Sequence, residues 1–261
     1  MRSDYHMHTS FSLDSDFPME EEIRVAISRG LEEICFTEHV DHLDSRGNDA
    51  NIIKYYHEYK RCKEIYKDQI TLKFGIEFGI QPHTVHFFQD DFKQVEFDFV
   101  ILSCHQVDDK ELWNKEYQQG KTQEELNIGY YENIYKSMLL YKDYSVLGHL
   151  DAIKRDDPYG EYDDEKIMDM LTKILTQAIQ DNKGIEVNTS NFRYQLSDLT
   201  PSKKILKLYY DLGGRILTFG SDSHREEHVG YKVEEVKKMV KEIGFTHFCT
   251  FEKMKPIYHE L

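Results

Sequence analysis

The chain has 261 residues, which is enough for one large domain, and single α/β barrels commonly have this size. Hydrophobic residues make up 39% of it and prolines number only 5, a composition that excludes a disordered or low-complexity protein. Acidic residues outnumber basic ones by 48 to 33, and the formal net charge of −15 disfavours nonspecific binding to nucleic acid.

The sequence also predicts a cytoplasmic protein that does not enter a membrane. The 4 cysteines, Cys35, Cys62, Cys104 and Cys249, are scattered without a CxxC pair, which favours free thiols in a reducing compartment. The N-terminus has no apolar signal region, and no apolar run approaches transmembrane length. The oligomeric state stays open.

Short β-rich runs alternate with longer amphipathic stretches, so we predict one domain over residues 1–261. The predicted strands are Asp4–His8, Glu33–Thr37, Thr71–Phe78, Phe97–Ser103, Ser145–Gly148, Gly184–Asn188, Arg215–Phe219 and, more weakly, Thr246–Phe251. The predicted helices are Met19–Arg29, Ile52–Lys67, Gln123–Tyr141, Asp164–Asn182, Pro201–Leu212 and Val233–Ile243. At the first helix, Asp16 is a candidate N-cap, and Gly30 suits the end. Such alternation implies parallel strands with right-handed crossovers, and seven or eight units favour a barrel over an open sheet.

Potential metal ligands fall where these strands end. His6 and His8 close the first strand, and residues i and i+2 of a strand share a face, so both imidazoles can reach one ion. The further candidates are His39, Glu77, His105, His149, Asp222 and His224. In a parallel barrel all strand C-termini open on one face, so these side chains should converge. Imidazole and carboxylate suit Zn, Mn or Fe ions, and the set is large enough for two or three of them.

Each of these residues alone is weak evidence for a metal site. A single His-x-His is often accidental, and a single histidine after a strand is usually a hydrogen-bonded loop residue. Glu77 is harder to explain in this way, because an unpaired carboxylate in an apolar strand is costly. Six of the 13 histidines sit at or just past predicted strand ends, and this joint pattern favours a metal site.

The candidate ligands lie in a series of short motifs between Asp4 and His224. In chain order these are Asp-Tyr-His-Met-His-Thr, Thr-Glu-His, Gly-Ile-Glu, the isolated His105 and His149, and Gly-Ser-Asp-Ser-His. Together the motifs resemble those of the polymerase-and-histidinol-phosphatase (PHP) family. The stretches Phe-Thr-Glu-His-Val-Asp-His, Gly-His-Leu-Asp and Asn-Thr-Ser-Asn-Phe-Arg look most like its monofunctional histidinol-phosphatase branch.

The resemblance implies a distorted seven-stranded (β/α) TIM-like barrel that holds a cluster of up to three divalent ions. Glu77 would bridge two of them and so act in catalysis as well as in binding. The implied ligand sets are His6, His8, Glu77 and Asp222; Glu77, His105 and His149; and Asp14, His39 and His224. Asp14 departs from family members that carry His at this position, and its alternative is an exposed loop acid or a helix cap.

For the reaction we predict in-line attack by a metal-bridging hydroxide, without a covalent phosphoenzyme. His42 is the candidate proton donor, with Asp41 to orient it; the alternative is a supporting or loop histidine. Arg155 and Arg193 follow the fifth and sixth strands and are candidate phosphate clamps, because guanidinium binds phosphate bidentately; the alternative is ordinary surface arginines. Asn188 closes the sixth strand and would touch substrate or support a ligand.

The predicted substrate is L-histidinol phosphate, cleaved to L-histidinol and phosphate in histidine biosynthesis. Its cationic amine suits an acidic protein, whereas a DNA strand fits less well. The alternatives are a phosphatase of the same family for another small phosphomonoester, an exonuclease, or a non-catalytic module.

Overall fold

The computed structural model describes residues 1–44, 47 and 49–261, and its main feature is a nearly closed parallel barrel of seven strands with helices outside. The strands of the chain are β1 (Ser3–Asp4), β2 (Glu33–Phe36), β3 (His39–Val40), β4 (Thr71–Gly79), β5 (Phe99–Ser103), β6 (Gln106–Val107), β7 (Lys110–Glu111), β8 (Val146–Leu147), β9 (Gly184–Asn188), β10 (Leu217–Gly220), β11 (His247–Glu252) and β12 (Lys255–Glu260). The barrel order is β1-β2-β4-β5-β8-β9-β10, with β3 also paired to β4. The predicted fold class is confirmed.

Backbone hydrogen bonds join the first and last segments of the barrel. Tyr5 N donates to Phe219 O at 2.9 Å, and Asp222 N donates to His6 O at 2.8 Å. His8 N donates to the carbonyl oxygen of Ser223 at 2.8 Å. The strand predicted over Asp4–His8 is found only over Ser3–Asp4, and the chain past Asp4 bonds to Phe219 of β10 and then to the segment that follows β10.

The helices lie between the barrel strands. They are α1 (Met19–Ser28), α2 (Ile52–Tyr66), α3 (Val85–Phe92), α4 (Gln123–Leu140), α5 (Ile153–Asp156), α6 (Met168–Gln180), α7 (Asn191–Tyr194), α8 (Lys203–Asp211) and α9 (Val233–Ile243). All six predicted helices are present, although the one predicted from Asp164 begins with a 3-10 turn. The prediction missed α3, α5 and α7, which are too short to show a clear helical period.

The last predicted strand does not join the barrel. It forms β11, which pairs antiparallel with β12 in a separate hairpin. Phe251 of this hairpin is buried in one apolar cluster with Tyr5 and Phe99, and Phe251 N donates to the hydroxyl oxygen of Tyr5 at 2.9 Å. The hairpin thus packs on side chains from the beginning of the barrel strands and leaves their carboxyl ends free for a site.

Two further predictions concern the chain as a whole. All four cysteines are buried and unpaired, as expected. Within the described ranges, we find no helix with the length and apolar character that a membrane span requires.

Candidate metal centre

Glu77 lies at the middle of the site, fully buried near the carboxyl end of β4. Its Oε1 atom is 2.9 Å from His149 Nε2 and 3.3 Å from His105 Nε2. Ser103, at the end of the neighbouring β5, donates a hydrogen bond of 2.6 Å to the same oxygen. One oxygen of this carboxylate therefore faces the two histidines that follow β5 and β8.

The other oxygen of Glu77 faces the histidines at the first strands. Glu77 Oε2 is 3.0 Å from His6 Nε2, 3.4 Å from His8 Nε2 and 3.0 Å from His39 Nδ1. Asp222 adds a second carboxylate, with Oδ1 at 3.8 Å from His6 Nε2 and 3.6 Å from His8 Nε2. Burial favours the neutral form of Glu77, but the surrounding imidazoles hold its pKa well below the usual value.

A third group of side chains lies at the solvent side of the same cluster. Asp14 Oδ2 is 3.4 Å from His224 Nε2 and 3.6 Å from His39 Nε2. The ring of His8 packs against the rings of both His39 and His224, with centroids 4.1 Å and 4.3 Å away. The Asp14 side chain is 35% exposed, whereas that of Asp222 is 9% exposed, so this group is the most open to water.

The spacing of these atoms is compatible with metal coordination. Atoms bound to one ion at about 2.0–2.2 Å in a tetrahedral arrangement lie roughly 3.4 Å apart. Four overlapping groups of three potential ligands each have all donor atoms within 4.8 Å of one another. His8 Nε2 is buried and, within the part of the chain that the structure describes, has no hydrogen-bond partner. A buried imidazole nitrogen left in this state suits a divalent ion.

Asp41 supports this centre in a way that differs from its predicted role. Its Oδ1 atom is 2.6 Å from His105 Nδ1, so it holds that ring rather than only orienting His42. Gly79 makes this contact possible, because a Cβ there would overlap Asp41 Oδ1 and crowd His105 Nδ1.

Glu186 is the main buried group that the sequence analysis missed. It lies in β9 with 1% exposure, and its Oε1 atom is 2.5 Å from His6 Nδ1. Its Oε2 atom accepts a hydrogen bond of 2.8 Å from the backbone N–H of His149. The signal was present in Gly-Ile-Glu-Val-Asn, which repeats the Gly-Ile-Glu pattern around Glu77 and places a second carboxylate in an apolar strand.

An open cavity of about 170 Å³ lies over the centre. Its walls are formed by Asp14, His39, Asp41, Cys104, His105, Leu112, Trp113, His149, Ala152, Arg155, Asp156, Tyr194, Asp222 and His224. Arg155 Nη1 is 3.5 Å from Asp222 Oδ2, and Nη2 donates to Ser190 Oγ at 2.6 Å. The guanidinium also lies 4.8 Å from the ring centroid of Tyr194. Arg155 is thus held at the cavity wall beside a candidate ligand.

The other predicted substrate contacts, Arg193 and Asn188, both lie behind Asp222. Arg193 donates to the backbone carbonyls of Ser221 and Asp222 at 2.7 Å and 2.8 Å. Asn188 is fully buried, and its Nδ2 atom is 3.3 Å from Asp222 Oδ2. Neither side chain is among those that line this cavity, and a direct contact of either with substrate stays a prediction.

His42 also lies outside the side chains that form that wall. Its Nε2 atom is 2.6 Å from Asp91 Oδ2, and its Nδ1 atom is 3.8 Å from Asp49 Oδ2. Burial lowers the pKa of His42, but the bond to Asp91 and the charge of Asp49 raise it above the usual value overall. A proton-donor role for this residue stays a prediction.

A parallel barrel with histidines and carboxylates gathered at the carboxyl ends of its strands defines a class of metal-binding barrels. The family model of the PHP domain matches residues 4–190. The chain belongs to the PHP family, as its motifs indicated.

Several similar proteins carry the name histidinol-phosphatase. The histidinol-phosphatase of Lactococcus lactis subsp. lactis (strain IL1403) is 32% identical over 97% of this chain and 95% of its own. The probable histidinol-phosphatase of Thermotoga maritima is 27% identical over 94% of each chain. A crystal structure of the L. lactis histidinol phosphate phosphatase, complexed with zinc, L-histidinol and phosphate, matches with a TM-score of 0.91 at 30% identity and covers 98% of both chains.

A putative histidinol phosphatase from Listeria monocytogenes matches with a TM-score of 0.74 at 19% identity, over 89% of this chain and 99% of that chain. This likeness shows the fold alone.

Proposed function

We propose that this chain is a metal-dependent phosphomonoesterase that hydrolyses L-histidinol phosphate to L-histidinol and phosphate. The observation that carries the proposal is the buried Glu77, surrounded by five imidazoles. Three of these imidazoles, those of His39, His105 and His149, line a cavity together with Arg155. The match over nearly the full length to a histidinol phosphate phosphatase supports the choice of substrate.

We further propose two to three divalent ions at this centre, with zinc first and manganese or iron as alternatives. The proposed ligand sets are His6, His8, Glu77 and Asp222; Glu77, His105 and His149; and Asp14, His39 and His224. Divalent ions bound here would activate water at neutral pH and neutralise phosphoryl oxygens. Because Asp222 and His224 lie beyond residue 190, where the match to the family model ends, we treat the whole of 1–261 as one domain.

In this proposal Arg155 binds the phosphate, since its charge lies on the cavity wall and its Nε atom is buried without a described hydrogen-bond partner. Asn188 and Arg193 hold Asp222 from behind. The acidic side chains Asp41 and Asp156 on the same wall favour a small substrate that also carries a positive charge. The buried free thiols support the expected reducing, cytoplasmic compartment.

A substrate panel tests this proposal. Zinc-loaded protein should release phosphate from L-histidinol phosphate with a kcat/KM well above that for p-nitrophenyl phosphate, a nucleotide or a sugar phosphate. If L-histidinol phosphate were no better than p-nitrophenyl phosphate, the substrate assignment would be wrong and another small phosphomonoester would replace it. Degradation of single-stranded DNA at a higher efficiency would indicate an exonuclease.

Asp14 offers a test of the third ligand set. We expect Asp14→Ala to bind about one ion fewer per chain than wild type, because this carboxylate joins His39 and His224 at the exposed side of the cluster. The metal content after dialysis against a mild chelator measures the effect. Asp16→Ala is the matched control, since it removes an exposed acid from the same loop. Equal metal content in Asp14→Ala and wild type would favour the loop-acid alternative.

His42 offers a test of proton donation. We expect His42→Ala to slow hydrolysis of L-histidinol phosphate by about 10²–10⁴-fold, because an alkoxide leaving group needs a proton. The rate with p-nitrophenyl phosphate should hardly change, since p-nitrophenolate leaves without one. Equal losses with both substrates would show that His42 only maintains its loop through Asp91 and Asp49.

A further inference from the structure

We propose that Glu186 is a positioning residue of the metal centre, which orients His6 towards the ions and links it to the segment that carries His149. The inference rests on the proposed metal dependence, but not on the identity of the substrate. Glu186 does not reach the cavity wall, so its effect would pass through the two histidines.

The contacts of Glu186 divide between its two oxygens. Oε1 lies 2.5 Å from the Nδ1 atom of His6, and Oε2 accepts the backbone N–H of His149 at 2.8 Å. Asn188 Nδ2 donates a second hydrogen bond, of 3.2 Å, to Oε2. A carboxylate with 1% exposure is costly to bury, and these three contacts offset the cost.

The contact with His6 determines which imidazole nitrogen can bind an ion. An ionised carboxylate only accepts hydrogen bonds, so the Nδ1 atom of His6 must carry a hydrogen when it faces Glu186. The Nε2 atom then directs its lone pair towards Glu77 Oε2 at 3.0 Å and Asp222 Oδ1 at 3.8 Å. A carboxylate behind a metal-binding histidine fixes its tautomer and increases its basicity in many metal sites.

The barrel leaves space for Glu186 at Gly220, which ends the neighbouring β10, while Gly148 lies nearby and leaves space for Ser103. A Cβ on Gly220 would overlap Glu186 Oε1 and the Cβ of His6, which shows how closely the backbone of β10 approaches this pair. A Cβ on Gly148 would lie 3.7 Å from Glu186 Oε2 and would overlap the hydroxyl of Ser103. The close packing leaves little room for His6 to turn without moving Glu186.

Through these contacts Glu186 connects the first and second proposed ligand sets. His6 belongs to the set with Asp222, and His149 belongs to the set that faces the other oxygen of Glu77. Loss of the carboxylate should therefore weaken both ions together. The third set contains Asp14 and His224, and within the described part of the chain neither side chain bonds to Glu186.

Glu186→Gln is the most informative variant, because it keeps the size of the side chain but offers one acceptor and one donor. His6 Nδ1–H donates to one oxygen of Glu186, and the backbone N–H of His149 donates to the other. A glutamine side chain has only one oxygen, so its NH₂ group must face one of these two donors, and that hydrogen bond is lost. We expect zinc affinity, measured by competition with a chromogenic chelator, to fall by about 10–100-fold. Phosphate release should recover when free zinc is raised by the same factor.

Glu33→Gln is the matched control. Glu33 is also a buried glutamate on a barrel strand, but it pairs with the hydroxyl of Tyr5 at the other end of the barrel. The zinc affinity of the Glu33→Gln protein should equal that of wild type. If Glu186→Gln failed to fold, as judged by circular dichroism and thermal unfolding, Glu186→Asp would replace it, since the shorter side chain cannot span both contacts.

The outcomes separate the two proposals. Equal zinc affinity in wild type and Glu186→Gln, or an equal loss in Glu33→Gln, would overturn the positioning role. Failure of the wild-type protein to bind zinc, manganese or iron at all would instead contradict the proposed function.

Discussion

Glu77→Gln should lower phosphate release by at least about 10³-fold and remove at least one metal ion per chain. The physical reason is the position of this carboxylate among the five imidazoles of His6, His8, His39, His105 and His149. A neutral amide keeps the shape but loses the charge and one of the two acceptor oxygens. Steady-state kinetics with L-histidinol phosphate and the metal content of the same sample measure both effects.

His83→Ala is the control for this experiment, because it removes an exposed histidine that pairs with Asp109. It should keep wild-type metal content and activity. A Glu77→Gln protein with metal content and kcat near wild type would show that Glu77 does not bridge ions.

Arg155→Ala should reduce kcat/KM for L-histidinol phosphate by about 10²–10³-fold while the metal content stays constant. The guanidinium lies on the cavity wall beside Asp222, where phosphoryl oxygens would gain its charge and hydrogen bonds. Inhibition by inorganic phosphate should weaken in parallel. Arg155→Lys should recover only part of the loss, since an ammonium keeps the charge but lacks the planar pair of donors.

Arg61→Ala controls for loss of an arginine as such, because Arg61 pairs with Glu20 and Glu58 on the helical exterior. Its kcat/KM should match wild type. Loss of bound metal in Arg155→Ala would mean that the residue mainly supports Asp222, and the proposed phosphate contact would then be wrong.

The barrel could be predicted because its signals are local. Runs such as Gly184–Asn188 and Thr71–Gly79 are apolar, short and bounded, and they are separated by amphipathic stretches. The destination of β11 could not be predicted, because the same apolar alternation suits a barrel strand and an antiparallel hairpin. Asp16 as a helix cap was wrong: Pro18 occupies the N-cap position of α1, without a capping hydrogen bond from its side chain. Gly30 does end that helix region, with φ at +71°.

The gathering of the candidate ligands could be predicted from strand ends, since parallel topology brings residues such as His6, Glu77 and Asp222 to one face. The partners of the supporting residues could not be predicted. The repeated Gly-Ile-Glu pattern marks Glu186 as a buried carboxylate, but the distances in sequence from Glu186 to His6 and from Asp41 to His105 do not indicate that these side chains meet. Arg193 shows the same difficulty, because sequence places it on the active face but cannot tell a phosphate from a backbone carbonyl as its partner.

We propose that bound divalent ions enable this chain to hydrolyse L-histidinol phosphate. The most direct measurement is phosphate release from L-histidinol phosphate by one protein sample before metal removal, after it, and after zinc, manganese or iron is restored. We expect release to stop in the stripped protein and to return as about two to three ions per chain bind again. Undiminished release by protein that retains less than about one ion per chain would contradict the account.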